Sequence, residues 1–292
     1  SAIKYPAEYT PVDISLTACM KRAYLPAAGR KGKNVMLKVG VKGNKLSLET
    51  LPVSLPYPAQ FALGKGAETA YINEPGGALY RVDLNSFNFS PIVAPLKRAS
   101  CVGLACGEKY LYSAWEHECG GTVAIFDFWG KLKEQYDIAG IPTNVILDNW
   151  QRLLVTFTNT AFTGEGVAIF KLAKDTLSAP QVITIQCPGC PSGLSAYPCH
   201  LAVTADGQRA YLASEDSASV LALNLKEAAI ADRLVIGRSI SRLYLTPQSH
   251  IAVATSNFFN DLCRIDLQYG EITGVTETGR QILSYIAILP ED

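Results

Sequence analysis

Residues 198–236 read PCHLAVTADGQRAYLASEDSASVLALNLKEAAIADRLVI, and this stretch decides the fold. Its runs HLAV, RAYLAS and VLALNL alternate between the two faces of an extended chain, which is the period-2 pattern of β-strands. Gly, Asp and Ser residues separate the runs and predict turns between them. The stretch therefore predicts a unit of four short strands in succession.

The same pattern recurs along the chain, for example as ETAYINEP before ALYRVDLNS and as HIAVATSN before LCRIDLQYG. A unit of four strands cannot bury both of its own faces, so successive copies must pack against one another. Repeats of this kind predict an all-β fold, a single β-propeller with four-stranded blades. The spacing of the copies is read from equivalent positions in the second strand, which are Tyr24, Tyr71, Leu111, Leu154, Tyr211 and Ala252.

The modules show no linker and no change of composition between them, so we predict one domain, residues 1–292. The end segments, residues 1–10 and 280–292, are expected to close the ring, the first as an outer strand and the second as an inner strand of a further module. Six or seven blades are compatible with this interpretation. The six modules span approximately residues 11–53, 58–94, 99–137, 141–186, 198–236 and 239–279.

Composition excludes some classes of partner. Lys plus Arg and Asp plus Glu both number 26, so the net charge is zero and predicts no general attraction to nucleic acid or anionic lipid. No apolar run approaches the ~20 residues that a membrane-spanning helix needs. The first residue is Ser1, which we interpret as a processed or engineered start. The eight cysteines favour an oxidising, extracytoplasmic location, periplasmic or secreted.

The segment LAVTADGQRAYLASEDSASVLALNL, residues 201–225, resembles the YVTN-type β-propeller repeat. Residues 58–85 and 239–267 resemble it less closely and keep the sequences RVDL and RIDL. The resemblance implies a propeller that is often exported. Proteins with this repeat include surface and adhesion proteins, haem-binding propellers, amine dehydrogenase subunits and lactonase-like enzymes. The resemblance therefore does not indicate one activity.

In a propeller of this kind, the loops between the second and third strands gather on one rim, where we expect the binding site. The predicted loops are 29–34, 73–77, 115–121, 158–166, 214–217 and 256–261, joined by the insertion 187–199. Exposed aromatic side chains are typical of protein interfaces. The predicted partner-binding residues are Trp115, Glu116, His117, Phe162, Phe258 and Phe259.

The cysteine-rich insertion allows two interpretations. Cys187, Cys190, Cys199 and His200 are ligand types that zinc prefers. However, Cys199 and His200 are adjacent on a predicted strand and should point to opposite faces. A disulfide is favoured, because a long exposed insertion gains from a covalent link. With the connectivity left open, the predicted disulfide residues are Cys101, Cys106, Cys119, Cys187, Cys190 and Cys199, whereas Cys263 is predicted to be a buried thiol.

No convergent catalytic set is recognisable, so the sequence favours a non-catalytic protein without a cofactor, which binds a partner protein or serves as a structural subunit through the rim. Two alternatives stay open. One is a metal-dependent lactonase-like hydrolase, in which a divalent metal ion at the central opening is held by Glu74, Glu165, Glu215 and Asp216. The other, implied by the resemblance, is a propeller subunit of a quinone-cofactor amine dehydrogenase.

Overall fold

A computed structural model describes most of the chain. The described residues are 6–17, 21–42, 45–55, 57–64, 66, 68–74, 77–93, 99–118, 120–158, 165–173, 176–185, 198–214, 218–256 and 261–277. They form six consecutive sheets, and within each sheet the main strands pair in chain order. This arrangement confirms the prediction of an all-β propeller with four-stranded blades, here six in number.

Three sheets come from the first part of the chain. The first contains β1 (Tyr9–Pro11), β2 (Ser15–Leu16), β3 (Arg22–Gly29), β4 (Asn34–Lys42) and β5 (Lys45–Leu55), with a 3-10 turn at Arg30–Gly32. The second contains β6 (Gln60–Leu63), β7 (Thr69–Asn73), β8 (Leu79–Asp83) and β9 (Phe89–Val93). The third contains β10 (Ala99–Cys106), β11 (Tyr110–His117), β12 (Gly120–Asp127) and β13 (Leu132–Ile138).

Three more sheets follow. The fourth contains β14 (Ile141–Leu147), β15 (Arg152–Thr158), β16 (Glu165–Ala173), β17 (Thr176–Leu177) and β18 (Gln181–Ile185). The fifth contains β19 (Pro198–Val203), β20 (Arg209–Ser214), β21 (Ser219–Asn224) and β22 (Ala229–Val235). The sixth contains β23 (Arg242–Leu245), β24 (Ile251–Ser256), β25 (Asp261–Asp266) and β26 (Glu271–Glu277).

The fifth sheet is buried on both faces, because successive side chains of its middle strands point in opposite directions. In β20, Tyr211 and Ala213 pack into an apolar cluster with the sixth sheet. Ala210 and Leu212 of the same strand pack with the fourth sheet. The alternation in the sequence thus places one apolar layer between the fourth and fifth sheets and another between the fifth and sixth, which is how a four-stranded unit that is unstable alone becomes stable in the fold.

The N-terminal segment differs from its prediction. Tyr9–Pro11 pairs antiparallel with Ala27–Gly29 of β3, so β1 lies at one edge of the first sheet. The interpretation of residues 1–10 as the outer strand of a further blade is therefore wrong for Tyr9 and Thr10. A strand paired with the second strand of a sheet occupies the first position of that sheet. The C-terminal segment 280–292 lies outside the described residues.

Contacts between Cα atoms divide the chain into two compact units. Unit 1 comprises residues 1–118 and 122–135, and unit 2 comprises residues 119–121 and 136–292. Apolar clusters join the first, second and third sheets in unit 1. Two further clusters join the fourth, fifth and sixth sheets in unit 2. No helix in the described ranges has the length and apolar character to cross a membrane.

Candidate functional site

The predicted rim loops do connect the second and third strands of their sheets, as in the fifth sheet, where residues 214–219 join β20 to β21. The central parts of several of these loops lie outside the described residues, and so do Phe162, Phe258 and Phe259. Partner binding by these three aromatic residues stays a prediction.

Trp115 corrects the prediction for the third sheet. It lies within β11 and its side chain is fully buried, with the indole Nε1 donating a hydrogen bond to Ser113 Oγ at 2.7 Å. A buried indole is unavailable to a partner, so Trp115 is a core residue. Glu116 and His117 follow it in the same strand and are half-buried, with His117 Nε2 3.4 Å from Thr122 Oγ1.

The predicted metal-binding carboxylates are only partly described. Glu74 Oε1 accepts a hydrogen bond from the hydroxyl of Tyr80 at 3.3 Å. Glu165 is buried at the first position of β16, in register with Thr158. Glu215 and Asp216 lie outside the described residues. Within the described ranges, no group of three or more His, Cys, Asp or Glu side chains is arranged to hold a metal ion.

Two of the predicted disulfide residues are described as free thiols. Cys101 is buried and Cys106 is half-buried, at opposite ends of β10. Neither is bridged in the structure, so their predicted participation in disulfides, for which the partners were left open, is wrong there. Cys263 is also a buried free thiol, as predicted. Cys119, Cys187 and Cys190 lie outside the described residues, and Cys199 lies in β19.

His200 shows why a zinc ligand set is disfavoured at the insertion. Its Nδ1 accepts a hydrogen bond from the backbone N–H of Leu243 at 3.4 Å, and its ring lies 5.0 Å from the ring of Tyr244. Burial, followed by the positive charge of Arg242, lowers the pKa of His200 to about 3. The imidazole is therefore neutral, and the lone pair of its Nδ1 is already used by the Leu243 N–H.

A partly buried ion pair joins the connection between the fifth and sixth sheets to the sixth sheet. Arg238, which follows β22, donates to the carboxylate of Asp261 at the first position of β25. The same guanidinium lies 3.2 Å from the Sγ of Cys263, whose pKa is raised, chiefly by burial. The sequence did not indicate this pair, since Arg238 lies between two modules and 23 positions from Asp261. It stabilises the connection and presents no open site.

A cleft between the fourth and fifth sheets, both in unit 2, is the candidate site. Its volume is about 410 Å³ and its floor is formed by the buried side chains of Ile169 and Leu225. We call it the basic cleft, and its polar lining residues are Arg152, Lys171, Gln181, Gln208 and Lys226.

Arg152 is fixed at one wall of the basic cleft by Asp148. The Asp148 carboxylate accepts from Arg152 Nε and Nη2, each at 2.7 Å, while Nη2 also donates to the carbonyl oxygen of Gly207 at 2.7 Å. The Asp148 side chain is 3% exposed and that of Arg152 is 14% exposed. The carboxylate of Asp148, which is opposite in charge, and the carbonyl of Gly207 together hold the guanidinium in one position.

Trp150 lies at the edge of the basic cleft. Its side chain is 56% exposed, and its indole packs so closely on Gly207 that a Cβ at that glycine would overlap the ring. Gly207 has φ +66°, which glycine adopts readily. The contact holds the tryptophan against the wall of the cleft and leaves its other face to solvent.

Trp129 in unit 1 is presented in the same manner. Its side chain is 73% exposed, and the guanidinium of Arg81 lies 4.5 Å from the centroid of its ring. Asp127 Oδ1 accepts from the backbone N–H of Trp129 at 3.0 Å and of Lys131 at 2.9 Å. Asp148 Oδ1 makes the same two bonds to Trp150 at 2.8 Å and Arg152 at 2.9 Å.

A signal for both tryptophans is present in the sequence. DFWGK, residues 127–131, and DNWQR, residues 148–152, share the pattern Asp-x-Trp-x-basic. The aspartate accepts from two amides of its own turn, so the turn is stable and the tryptophan projects from it. The basic cleft has no such local signal, because its walls come from segments far apart in sequence.

The comparisons with known proteins identify the fold and not a family. No family model matches the chain, and no curated protein matches it. The chain is similar in structure to Kuenenia stuttgartiensis hydrazine synthase, with a TM-score of 0.68 over 89% of this chain and 84% of that chain. The sequences are 14% identical, so the likeness shows the fold alone. The YVTN-type repeat therefore stays a resemblance.

Proposed function

We propose that this protein is a non-catalytic β-propeller that binds a partner protein or serves as a structural subunit of an assembly. The observation that carries the proposal is the presentation of Trp129 and Trp150, two largely exposed indoles on turns of the same design. Tryptophan is enriched among the residues that dominate the binding energy of protein interfaces.

The anchoring of each indole supports a binding role. An exposed side chain that is already held in one pose loses little conformational entropy when a partner covers it. Arg81 holds Trp129 through a cation–π contact, and Gly207 supports Trp150. The energy of these contacts is present before binding, so the exposed faces of the rings are preorganised.

The predicted loop rim remains part of the proposal as a second contact surface, through Glu116, His117, Phe162, Phe258 and Phe259. An extracytoplasmic location is also part of the proposal, and its support is the number of cysteines in the sequence. The three described free thiols, Cys101, Cys106 and Cys263, add no support to it.

Recovery of the partner from the native organism tests the proposal. The tagged full chain is expressed in the organism that encodes it, cross-linked mildly and purified, and bound proteins are quantified by mass spectrometry. Trp129→Ala or Trp150→Ala should lower recovery of a stoichiometric partner about tenfold, the effect of losing an interface hot spot. Val275→Ser is the control, because Val275 is 51% exposed on the outer strand β26 and has no aromatic ring.

Equal recovery from the wild type and both tryptophan variants would contradict the proposal at these positions. The absence of any stoichiometric partner would contradict the proposed function as a whole. Circular dichroism of each variant confirms that the sheets are intact before recovery is compared.

A further inference from the structure

The basic cleft brings like charges together across a pair of strands. Lys171 of β16 is directly opposite Arg152 of β15 in the register of the fourth sheet. Like charges placed directly opposite one another destabilise a sheet. Lys226, from the turn after β21, lines the same cleft from the fifth sheet. Three cationic side chains thus converge from two sheets.

Two nearby carboxylates, those of Asp148 and Asp206, accept hydrogen bonds from other groups. Asp148 is used by Arg152 and by the amides of its own turn. Asp206 accepts from Thr204 Oγ1 at 2.6 Å and from the backbone N–H of Gln208 at 3.0 Å. Within the described residues, the lining of the cleft includes no acidic side chain. Lys171 and Lys226 are both exposed where they line the cleft, so a ligand from solvent can reach their charges.

We propose that the basic cleft binds an acidic segment of the partner protein, an inference that rests on the proposed function. Carboxylates of the segment would pair with Lys171 and Lys226. The amides of Gln181 and Gln208 can donate to its backbone carbonyl groups or carboxylates. The apolar floor of Ile169 and Leu225 can accept the methylene groups of glutamate side chains.

A peptide segment fits better than a small free anion for two reasons. The cleft is open to solvent, with a volume of about 410 Å³. At one edge the indole of Trp150, which is 56% exposed, packs on the lining residue Gly207. A segment that lies along the cleft can cover this ring as well, whereas a lone carboxylate or phosphate reaches only the charged part.

Titration calorimetry with a ten-residue poly-glutamate peptide tests the proposal on the full-length protein. The peptide should bind the wild type, and Lys171→Gln with Lys226→Gln should raise Kd about tenfold at ~50 mM salt, with a smaller ratio as salt screens the charges. The control pair, Lys42→Gln with Lys109→Gln, removes the same net charge from exposed positions in unit 1 and should leave Kd within about twofold of the wild type. Trp150→Ala should also weaken binding.

Other outcomes overturn the proposal. If both pairs of lysine substitutions weaken peptide binding equally, the peptide is attracted by the overall positive charge and the cleft is not a specific site. If inorganic phosphate or citrate binds at the cleft and the peptide does not, the ligand is a free anion and the proposal of an acidic segment is wrong. If the tryptophan variants lose the native partner while the two double lysine variants bind the peptide equally, this proposal fails and the proposed function stands.

Discussion

Arg152 and His200 lie in neighbouring sheets of unit 2 and show two ways of placing a basic side chain in a mostly apolar fold. Arg152 has an acidic partner, since Asp148 accepts from its guanidinium at 2.7 Å, and it keeps its charge. His200 faces Arg242 and accepts from a backbone N–H, and burial lowers its pKa to about 3, so it gives up its charge. A buried cation needs a carboxylate, whereas a buried imidazole can become neutral.

Among the substitutions that test this comparison, removal of the Asp148 carboxylate should have the largest effect on the free energy of unfolding. Asp148→Ala leaves a guanidinium that is mostly buried without its counter-charge and also removes two turn hydrogen bonds. We expect a loss of about 3 kcal/mol in the free energy of unfolding, measured by urea denaturation.

Asp83→Ala is the matched control for that experiment. The Asp83 carboxylate accepts from the backbone N–H groups of Asn85 and Ser86, each at 2.8 Å, as Asp148 accepts from the amides of its own turn. Its loss should lower the free energy of unfolding by much less than the loss of Asp148 does, because no buried charge loses its partner. Equal effects of the two substitutions would show that the Arg152 pair contributes nothing beyond the turn.

The neutral imidazole predicts a dependence of stability on pH. The pKa of His200 is lowered from 6.5 to about 3 in the folded protein, so between these values the unfolded chain binds more protons. This contribution to stability is complete above pH 6.5 and is lost as the pH falls toward 3. Because the ring is half-buried, we expect a loss of about 2 kcal/mol over this range, less than the full shift implies.

His200→Gln isolates that contribution from the carboxylates that titrate in the same range. The free energies of unfolding of wild type and variant are measured at several pH values. As the pH falls, the wild type should lose stability steadily relative to the variant. A difference that is constant from pH 7 to pH 3 would show that the folded and unfolded proteins protonate this histidine alike.

Gly207 also supports Arg152, because its carbonyl accepts from the guanidinium. A pair of glycine substitutions measures how much stability depends on the close packing at this position. Gly207 and Gly237 have φ +66° and +74°, so alanine is strained by about 1 kcal/mol at either position. At Gly207 the new Cβ also meets the indole of Trp150, whereas at Gly237 it meets nothing within 4 Å. Gly207→Ala should lower the free energy of unfolding by about 1 kcal/mol more than Gly237→Ala does, and should change the tryptophan fluorescence.

The smallest expected effect is a gain. Lys171→Gln removes the like charge opposite Arg152 and should raise the free energy of unfolding by about 0.3 kcal/mol. Lys109→Gln, in the turn between β10 and β11, should leave it unchanged. The melting temperatures of the two variants, measured in low salt, decide this, and a loss of stability in Lys171→Gln would contradict the like-charge interpretation.

The fold could be predicted from the sequence because its signal is local. The alternation of Ala210, Tyr211, Leu212 and Ala213 between two apolar clusters follows directly from the order of these residues. The polar residues after Trp115 resemble a turn and predict a loop at 115–121, whereas β11 continues to His117 and β12 begins at Gly120. The length of a strand beyond its apolar run depends on pairing with its neighbours, which local composition does not report.

The candidate site could not be predicted, because its geometry depends on register and on packing between sheets. Lys171 is significant only when it is known to lie opposite Arg152. The bond from Arg152 to Gly207 joins residues 55 positions apart. The pattern Asp-x-Trp-x-basic at residues 127–131 and 148–152 could have indicated the two exposed tryptophans, although its meaning depends on the turn that each aspartate caps.

Hydrogen–deuterium exchange of the protein, alone and in the complex with its native partner, tests the central claim most directly. We predict that the partner protects the backbone amides of residues 148–151, 204–208 and 225–228, which border Trp150 and the basic cleft. Protection confined to the predicted rim loops, or no protection at all in a complex of defined stoichiometry, would contradict this account.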